Sequence, residues 1–484
     1  MRRVELGVVE LVEPATRVAG TLRVPGDKSI AHRALILGAL ADGESVITGL
    51  PPGEDVRATV ACLRSLGVRL SPVSPSPARG EASGWGLRIT PLVSEGQGSS
   101  PSPLAGEGWG GGFSTPHGPL DCANSGTTMR LLAGVLAGSR VSATLDGDAS
   151  LRRRPMARVV EPLRKMGASI ESRDGHPPLV LTGTALQGRR HLLSVPSAQV
   201  KSALLLAGLA ARGPTTVVEP APTRDHTERL LVAMGADLRV QSSPPPLGEG
   251  QGGGFQGVVI ELRPSHRPLH AIELAVPGDF SSASFWMAAA ALRPGWSITI
   301  EGVGLNPTRT AFLRILEAMG AAVQVELAET DTEPHGTVRV TGHPLRAVTL
   351  GAEEVVAAID EIPALLAVAT QAEGRTVIAG AAELRVKESD RIAGMAEGLR
   401  RMGASVDERP DGISVDGRCA LRGATVASNG DHRIAMALAI AGLAATGPTR
   451  IEDADCVAVS YPNFFAELRT ISLPRSRGRA GWGP

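Results

Sequence analysis

Aromatic residues and an excess of either charge are what this sequence most clearly lacks. Only 3% of its 484 residues are aromatic, and its 49 Lys and Arg residues balance its 49 Asp and Glu residues. Few aromatic side chains argue against base stacking as the main task, and a net charge of zero argues against bulk binding to nucleic acids or membrane surfaces. Any affinity for anions must therefore come from the local placement of cations.

Cysteine is also rare. The four cysteines, Cys62, Cys122, Cys419 and Cys456, are too dispersed for a zinc motif or a disulfide framework, which fits a reduced cytosol. The N-terminus has no apolar segment typical of a secretory signal. Every apolar run is interrupted before the roughly 20 residues that a membrane span needs. We therefore expect a cytoplasmic protein that contacts neither membrane nor nucleic acid.

The most informative stretch is residues 24–41, VPGDKSIAHRALILGALA. It begins with a Pro-Gly turn and the polar residues Asp27, Lys28 and Ser29. Ala, Leu and Ile then cover nearly the whole circumference of the predicted helix, which is typical of a buried helix. Lys28 and Ser29 stand where free N–H groups and the helix dipole favour a bound anion.

Five further stretches share this polar start and Ala/Leu-rich helix. One such stretch would be ordinary core, but six with similar starts indicate an electropositive site if those starts converge. The five are NSGTTMRLLAGVLAG from Asn124, SAQVKSALLLAGLAA from Ser197, GDFSSASFWMAAAAL from Gly278, DEIPALLAVATQA from Asp360 and DHRIAMALAIAGLAA from Asp431.

Each buried helix is followed by a strand, a polar loop, an amphipathic helix and a hairpin. The first amphipathic helix is expected over about 54–66 and ends at Gly67, where a left-handed C-cap is expected. Similar endings recur at Gly167, Gly235, Gly320 and Gly403. Six such units, longer than solenoid repeats, predict a pseudo-symmetric globular fold of two three-unit domains.

Stretches rich in Gly, Pro and Ser interrupt this pattern. They lie at about 91–117 and 242–257, with a further one in the tail at 474–484. Such a composition does not form a packed core, so we expect two mobile inserts and a disordered tail. LRIT at 87–90 is expected to be a hairpin strand kept before the first insert.

Eight motifs in order resemble those of the enolpyruvyl transferases, most closely the branch that uses shikimate 3-phosphate. The resemblance covers the chain except its inserts and tail. The motifs are PGDKSIAHR (25–33), NSGTTMR (124–130), SAQVKSA (197–203), TRDHTE (223–228), NPTRT (306–310), DEIP (360–363), LRVKESDR (384–391) and DHRIA (431–435).

The resemblance implies an α/β fold, a two-domain pseudo-symmetric inside-out α/β barrel with six βαβαββ units and buried helices. One domain would span 26–275, and the other 1–25 plus 276–473. The domains would close over their substrates. The implied reaction transfers the enolpyruvyl group of phosphoenolpyruvate to the 5-hydroxyl of shikimate 3-phosphate, releasing phosphate by addition and elimination, on the route to chorismate and the aromatic amino acids. It implies a monomer that uses these two small-molecule substrates and no metal or organic cofactor.

The resemblance also implies the site residues. Arg suits bidentate contacts with phosphate and carboxylate, while Lys is a movable point charge. The residues implied for shikimate 3-phosphate are Lys28, Ser29, Arg33, Ser197, Gln199, Arg224, Asp360 and Lys387. Those implied for phosphoenolpyruvate are Lys28, Gly126, Arg154, Gln199, Lys387, Arg391 and Arg433.

The reaction requires two proton transfers, for which two carboxylates with separate roles are an economical solution. Asp360 is the candidate partner of the substrate hydroxyl. Glu388, assisted by Lys28, is the candidate for proton exchange at the methylene carbon of phosphoenolpyruvate. Asp360 also stands where it could simply cap a helix, and both roles can hold at once.

Two positions depart from the family pattern. Val459 stands where some members have a lysine, and Ala198 where some have a second serine, so the phosphoenolpyruvate site is expected to be functional but weaker and one phosphate hydrogen bond missing. Gly126 is unsubstituted. Since alanine there can crowd the inhibitor glyphosate in this family, we expect the protein to be glyphosate-sensitive.

Two alternatives remain open. The UDP-N-acetylglucosamine enolpyruvyl transferases share the fold but have a Lys-Asn pair where this chain has Lys28 and Ser29. They also usually have a catalytic loop cysteine, and neither Cys62 nor Cys122 lies in such a context. A catalytically silent anion-binding homologue is the other alternative, and the intact candidate acid-base residues argue against it.

Overall fold

A computed structural model describes residues 7–73, 85–90, 113–243, 257–264, 267–328, 330 and 332–474. Most of the two predicted inserts and nearly all of the predicted tail lie outside the described residues. In the described part, no helix is long and apolar enough to cross a membrane.

The described residues form thirteen α-helices. They are α1 Lys28–Ala39, α2 Glu54–Ser65, α3 Gly126–Ala137, α4 Ala157–Lys165, α5 Ala198–Gly208, α6 His226–Ala233, α7 Phe280–Ala291, α8 Ala311–Met319, α9 Ala352–Ala357, α10 Ile362–Ala369, α11 Arg391–Arg401, α12 His432–Leu443 and α13 Phe464–Ile471.

The same residues form 24 strands. They are β1 Glu10–Val12, β2 Ala15–Leu22, β3 Ser45–Leu50, β4 Arg69–Val73, β5 Trp85–Thr90, β6 Leu120–Asp121, β7 Ser142–Asp146, β8 Ser169–Arg173, β9 His176–Thr182, β10 Arg190–Leu192, β11 Thr215–Glu219, β12 Asp237–Ser243, β13 Gly257–Arg263, β14 Glu273–Ala275, β15 Ser297–Gly304, β16 Ala322–Leu327, β17 His335–Thr341, β18 Thr349–Leu350, β19 Arg375–Ala379, β20 Val406–Arg409, β21 Gly412–Asp416, β22 Thr425–Ala427, β23 Thr449–Glu452 and β24 Ser472–Pro474.

The chain forms two compact units. The first unit contains Pro25–Pro277 and Thr330–Glu333; the second contains the chain up to Val24, Gly278–Glu329 and the chain from Pro334. Each unit has three sheets. In the first unit their strand orders are β14-β3-β5-β4, β6-β7-β9-β8 and β10-β11-β13-β12; in the second they are β16-β17-β15-β2-β24, β18-β19-β21-β20 and β1-β23-β22.

Every sheet contains one parallel pair of strands. One strand of the pair follows a buried helix, and its usual partner is the strand before that helix. In two sheets that partner is exchanged. β2 precedes α1 in sequence but pairs with β15 in the second unit, and β14 precedes α7 but pairs with β3 in the first unit. The chain passes from one unit to the other just after each exchanged strand, at the two VPGD tetrapeptides, 24–27 and 276–279.

The six predicted buried helices are confirmed as α1, α3, α5, α7, α10 and α12. In α7 and α12 every residue is buried, as their Ala/Leu-rich sequences require. The side chains of Asp27, Ser125, Ser197, Asp279 and Asp431 cap five of the six by accepting N–H groups of the first turn. Each such cap contributes about 1 kcal/mol.

The stretch from Asp360 folds differently from its five counterparts. Its helix α10 is short, Ile362–Ala369, and the extra helix α9 precedes it. Glu361 occupies the N-cap position without a side-chain cap bond, so Asp360 does not cap this helix. Pro363 in the first turn explains the late start, because its ring fixes φ where no N–H partner is needed.

The predicted glycine endings are also confirmed. Gly67, Gly167, Gly235, Gly320 and Gly403 all have φ between +86° and +107°. A left-handed residue satisfies the last carbonyls of each amphipathic helix at little cost when it has no Cβ. The predicted hairpin strand at 87–90 lies within β5, which pairs with both β3 and β4.

A chain of hydrogen bonds ties α1, α2 and the start of α3 together inside the first unit. His32 Nδ1 lies 2.7 Å from Thr59 Oγ1, which lies 2.7 Å from Thr128 Oγ1. Thr128 in turn donates to Ser125 Oγ at 2.8 Å. Because Thr128 donates to Ser125, it accepts from Thr59, and Thr59 in turn accepts from His32. Nδ1 is therefore the protonated nitrogen of a neutral imidazole.

Burial lowers the pKa of His32 from 6.5 to about 4, with the charges of Lys28 and Arg33 adding to the effect and Asp55 opposing it.

This pKa predicts a loss of stability in mild acid. In the unfolded state His32 becomes protonated below pH 6.5, whereas in the folded state it stays neutral down to about pH 4. The free energy of unfolding present at pH 7 therefore decreases as the pH falls from 6.5 to about 4. Between pH 7 and pH 5 the contribution is about 2 kcal/mol.

Urea unfolding of the wild type and of His32→Gln, at pH 7 and at pH 5, measures this contribution to stability. We expect the wild type to lose about 2 kcal/mol more than the variant over this interval. His117→Gln, at an exposed position, is the matched control and should follow the wild type. Parallel pH dependence of wild type and His32→Gln would contradict the buried neutral imidazole.

Candidate functional site

The starts of α1, α3 and α5 meet within the first unit. The Thr128 hydroxyl of α3 donates to the backbone oxygen of Asp55 at 3.4 Å. The side-chain carboxylate of Asp55 accepts from Lys28 Nζ, at the start of α1, at 3.0 Å. Gln199, in the first turn of α5, donates to Thr127 Oγ1 of α3 at 2.8 Å. These bonds bring five of the expected residues, Lys28, Ser29, Gly126, Ser197 and Gln199, to the polar ends of three buried helices.

Arg224 lies next to Ser29. The Arg224 guanidinium donates to Ser29 Oγ at 3.4 Å, so the loop before α6 and the start of α1 share one polar surface. Ser197 is the N-cap of α5, its hydroxyl accepting from Val200 N at 3.5 Å. Ala198 follows as the first helical residue, where it offers a backbone N–H but no hydroxyl.

Arg33 is buried, and its direct hydrogen-bond partners are two hydroxyls and a backbone oxygen. Its Nε donates to Thr227 Oγ1 at 2.7 Å, and its two terminal nitrogens donate to Ser29 O and Ser202 Oγ, each at 2.8 Å. No ion pair of Arg33 exists within the part of the chain that the structure describes. Burial lowers its pKa to about 10, so the guanidinium stays charged at neutral pH. Two of its five N–H groups remain for an anion.

Gly126 faces two arginines. A Cβ at Gly126 would lie 2.6 Å from Arg130 Nη1 and 3.4 Å from Arg154 Nη1. The expected Arg154 is held by Asn124 through a hydrogen bond to its side-chain oxygen. Arg130 was not among the expected residues, although it donates to the expected Gln199 at 2.7 Å. Its signal in the sequence is its position four residues after Gly126, on the same helix face.

In the second unit, the starts of α7, α10 and α12 meet in the same way. Ser281 in the first turn of α7 donates to Glu361 at the start of α10, at 2.5 Å, and accepts from Arg309 at 2.7 Å. Arg433 in the first turn of α12 donates to the backbone oxygen of Asp360 at 2.9 Å. The expected residues Asp360 and Arg433 therefore stand together.

Arg391 is surrounded by three carboxylates. Its side chain is 1% exposed and donates to Asp431 at 2.8 Å, to Asp360 at 3.3 Å and to Glu388 at 2.5 Å. Burial alone would lower the pKa of Arg391, but the charges of Glu388, Asp431 and Asp360 outweigh burial and raise it. Burial would raise the pKa of Asp431, and Arg391 outweighs it and lowers that pKa.

The other expected residues of this unit lie beside this cluster. Lys387 ends the 3₁₀ turn Ala382–Val386, directly before Glu388, whose side chain is 33% exposed and is the most accessible partner of Arg391. Asp360 has a second guanidinium nearby, with Arg433 Nη2 at 3.9 Å from its carboxylate. Val459 ends another 3₁₀ turn, Ala454–Val459, and brings no charge to the site.

The candidate site residues of the two units differ in how their charges are arranged. In the first unit, hydroxyls hold Arg33 and an amide oxygen holds Arg154, while Lys28 is paired with Asp55. In the second unit, cations and carboxylates alternate around Arg391, an arrangement that can both bind an anion and move a proton.

The chain matches one protein family over nearly its whole length. Residues 12–83 and 99–468 match the EPSP synthase (3-phosphoshikimate 1-carboxyvinyltransferase) family. Two relatives carry the name 3-phosphoshikimate 1-carboxyvinyltransferase. One, from Synechococcus sp. (strain WH7803), is 48% identical over 94% of this chain and 96% of its own length. Another, from Gloeobacter violaceus, is 47% identical over 96% of this chain and 99% of its own length.

A solved structure agrees with these relatives. EPSP synthase from Acinetobacter baumannii aligns with a TM-score of 0.79 and 38% identity, covering 96% of this chain and 98% of that one. The expected two-domain inside-out α/β fold class is thereby confirmed. On sequence and fold alike, this chain belongs to the EPSP synthase (3-phosphoshikimate 1-carboxyvinyltransferase) family.

Proposed function

We propose that the protein transfers the enolpyruvyl group of phosphoenolpyruvate to the 5-hydroxyl of shikimate 3-phosphate and releases phosphate. Relatives that are 47–48% identical over nearly their full length carry the name of this enzyme. The observation that carries the proposal at the level of residues is the cluster of Arg391, Asp360 and Glu388, which puts two carboxylates on one buried guanidinium.

The cations divide into two groups in this proposal. Arg33 and Arg224, with Ser29, Ser197 and Gln199, hold shikimate 3-phosphate, assisted by Lys28, Lys387 and Asp360. Arg154, Arg391 and Arg433, with Lys28, Lys387, Gln199 and Gly126, hold phosphoenolpyruvate. The hydroxyl partners of Arg33 support its place in the first group, because a guanidinium bound to hydroxyls keeps its attraction for phosphate and carboxylate.

The addition step forms a C–O bond and a C–H bond. The 5-hydroxyl oxygen attacks C2 of phosphoenolpyruvate and gives its proton to Asp360, while the methylene carbon takes a proton from Glu388, with Lys28 assisting. The product of this step is a tetrahedral intermediate. Elimination then breaks the bond from C2 to the phosphate oxygen and re-forms the carbon–carbon double bond. The methyl group returns a proton to Glu388, and Asp360 passes the hydroxyl proton to the departing phosphate.

Glu388 is suited to a changing role because it is the most exposed of the three carboxylates around Arg391. An incoming anion can take its place on the Arg391 guanidinium. Glu388 is then released toward the substrate, whereas Asp431, fully buried, keeps the arginine oriented. Fixed dipoles and cations of this kind stabilise charge that develops in the transition state.

A phosphate-release assay tests the proposal. With both shikimate 3-phosphate and phosphoenolpyruvate present, we expect one phosphate and one enolpyruvyl product per turnover. With UDP-N-acetylglucosamine in place of shikimate 3-phosphate, we expect no release. Release only with the nucleotide sugar, or with neither acceptor, would overturn the proposal.

Lys387→Met tests the assignment of cations. Loss of one charged contact with phosphoenolpyruvate should raise its KM roughly tenfold or more. Steady-state kinetics with phosphoenolpyruvate varied and shikimate 3-phosphate saturating measures this. Lys165→Met removes an exposed lysine at the end of α4 and is the control. An unchanged KM in Lys387→Met would remove Lys387 from the site.

Gly126→Ala tests the crowding next to the arginines. Its Cβ would stand 2.6 Å from Arg130 Nη1, so the guanidinium must move. We propose that the wild type is inhibited by glyphosate, and that the variant shows weaker inhibition together with a higher KM for phosphoenolpyruvate. Inhibition curves for both proteins measure this, with Gly118→Ala as control because a Cβ there meets open space. A wild type that resists glyphosate, or a variant inhibited as strongly as the wild type, would contradict the expectation.

We also propose that the enzyme acts as a monomer in the cytoplasm. The four cysteines are free, which suits a reducing compartment. Light scattering coupled to size-exclusion chromatography would give a mass near 50.0 kDa for a monomer.

A further inference from the structure

One lysine lies inside the apolar helix α5. Lys201 has a side chain that is 2% exposed, and its Nζ lies 2.7 Å from a carboxylate oxygen of Glu219 and 2.7 Å from one of Glu228. It also donates to the backbone oxygen of Thr223 at 3.4 Å. Burying an ammonium group with two carboxylates costs desolvation free energy, so we asked which function this cluster could serve.

The cluster adjoins Arg33 through two pairs of sequence neighbours. Ser202 follows Lys201, and Thr227 precedes Glu228; these two hydroxyls hold one edge of the Arg33 guanidinium. Thr227 Oγ1 also donates to Ser202 Oγ at 2.7 Å, which fixes the direction of both hydroxyls. Arg33 thus has neutral groups in contact, while the Glu228 carboxylate is bound to Lys201.

Glu228 is the carboxylate that matters most to Arg33. Burial lowers the pKa of Arg33, and Glu228 is the strongest of the surrounding charges that raise it again, ahead of Asp27 and Glu333. One carboxylate oxygen of Glu228 is held by Lys201, and the other accepts no hydrogen bond from any described residue. Without Lys201, the negative charge of Glu228 would act on Arg33 uncompensated.

We infer that Lys201 is a positioning residue that acts by charge: it takes up the carboxylates of Glu219 and Glu228, and so leaves the Arg33 guanidinium free to bind an anionic group of shikimate 3-phosphate. The inference rests on the proposed function, in which Arg33 holds that substrate.

The charges within the cluster agree with this division. Burial alone would lower the pKa of Lys201, but Glu228 and Glu219 outweigh burial and raise it, so the ammonium persists. Burial raises the pKa of Glu228, and Lys201 offsets that only in part. A buried carboxylate that already lacks one donor would turn to another cation once its ammonium is removed.

Binding of shikimate 3-phosphate to three proteins tests the inference, measured by titration calorimetry without phosphoenolpyruvate. Lys201→Met removes the ammonium bound to Glu228, the carboxylate whose charge acts most strongly on Arg33, and should raise the Kd about tenfold. A triple variant, Lys201→Met with Glu219→Gln and Glu228→Gln, removes all three charges at nearly constant volume. It should recover a Kd within about threefold of the wild type, because replacing a whole buried ion cluster by neutral groups is often tolerated.

Kinetics adds a second readout. At saturating substrates we expect Lys201→Met to keep a kcat within about threefold of the wild type while its KM for shikimate 3-phosphate rises. Leu204→Ala, a loss of packing on the same helix with no change of charge, is the matched control and should leave this KM unchanged. Thermal unfolding of each variant confirms that it is folded at the assay temperature.

The outcomes separate the two proposals. A wild type that does not bind shikimate 3-phosphate overturns the proposed function and this inference with it. A wild type that binds, with Lys201→Met binding equally well, overturns only the inference. Equal weakening in the single and triple variants also overturns it, since Lys201 would then act through geometry alone.

Glu228→Gln covers the case in which Lys201→Met does not fold. It removes the negative charge that acts most strongly on Arg33 while the ammonium keeps Glu219, so shikimate 3-phosphate should bind at least as tightly as to the wild type. A tenfold loss of affinity in this variant would contradict the inference.

Discussion

The burial of six helices that are apolar nearly all the way round is the constraint on which this structure depends. Such helices have no polar face to present to water, so their charged residues stand near their starts or, like Lys201, are paired with buried carboxylates. Within each unit, three of these helices begin close to one another, as the bonds from Gln199 to Thr127 and from Arg433 to Asp360 show. Free N–H groups, hydroxyls and cations are thereby concentrated at the helix starts, where the dipoles add to their attraction for anions.

The two units use this concentration differently. In the first, Arg33 is buried among hydroxyls and a backbone oxygen, and nearby carboxylates are bound to Lys201. In the second, Arg391 is bound by three carboxylates of differing exposure. In the proposed reaction, the first arrangement keeps positive charge for a substrate, and the second couples anion binding to the release of Glu388. A transferase that joins two anions needs both.

Much of this could be predicted from the sequence because it is set by local patterns. The buried helices follow from the circumference covered by Ala and Leu, and the glycine endings from the need for a left-handed residue, as at Gly67 and Gly320. The resemblance of eight motifs then supplied the family. The exchange of β2 and β14 between the sheets could not be predicted, because a parallel partner is chosen by tertiary register and not by the pattern of the strand itself.

Polar groups whose partners are distant in sequence were also beyond prediction. Arg130 lies within a recognised motif, yet only its contact with Gln199 and its proximity to Gly126 make it a candidate for the site. Lys201 appears in the sequence as one charge in an apolar helix, and its meaning depends on Glu219 and Glu228, which come 18 and 27 residues later. Short-range patterns carry no record of such buried ion clusters.

We propose that Arg33 and Arg224, at the starts of the buried helices of the first unit, hold shikimate 3-phosphate. A crystal structure of the protein with shikimate 3-phosphate bound tests it most directly. We expect the anionic groups of the ligand to contact Arg33, Arg224 and Ser197 at the start of α5. A ligand that binds elsewhere and leaves these three residues without contact would contradict it.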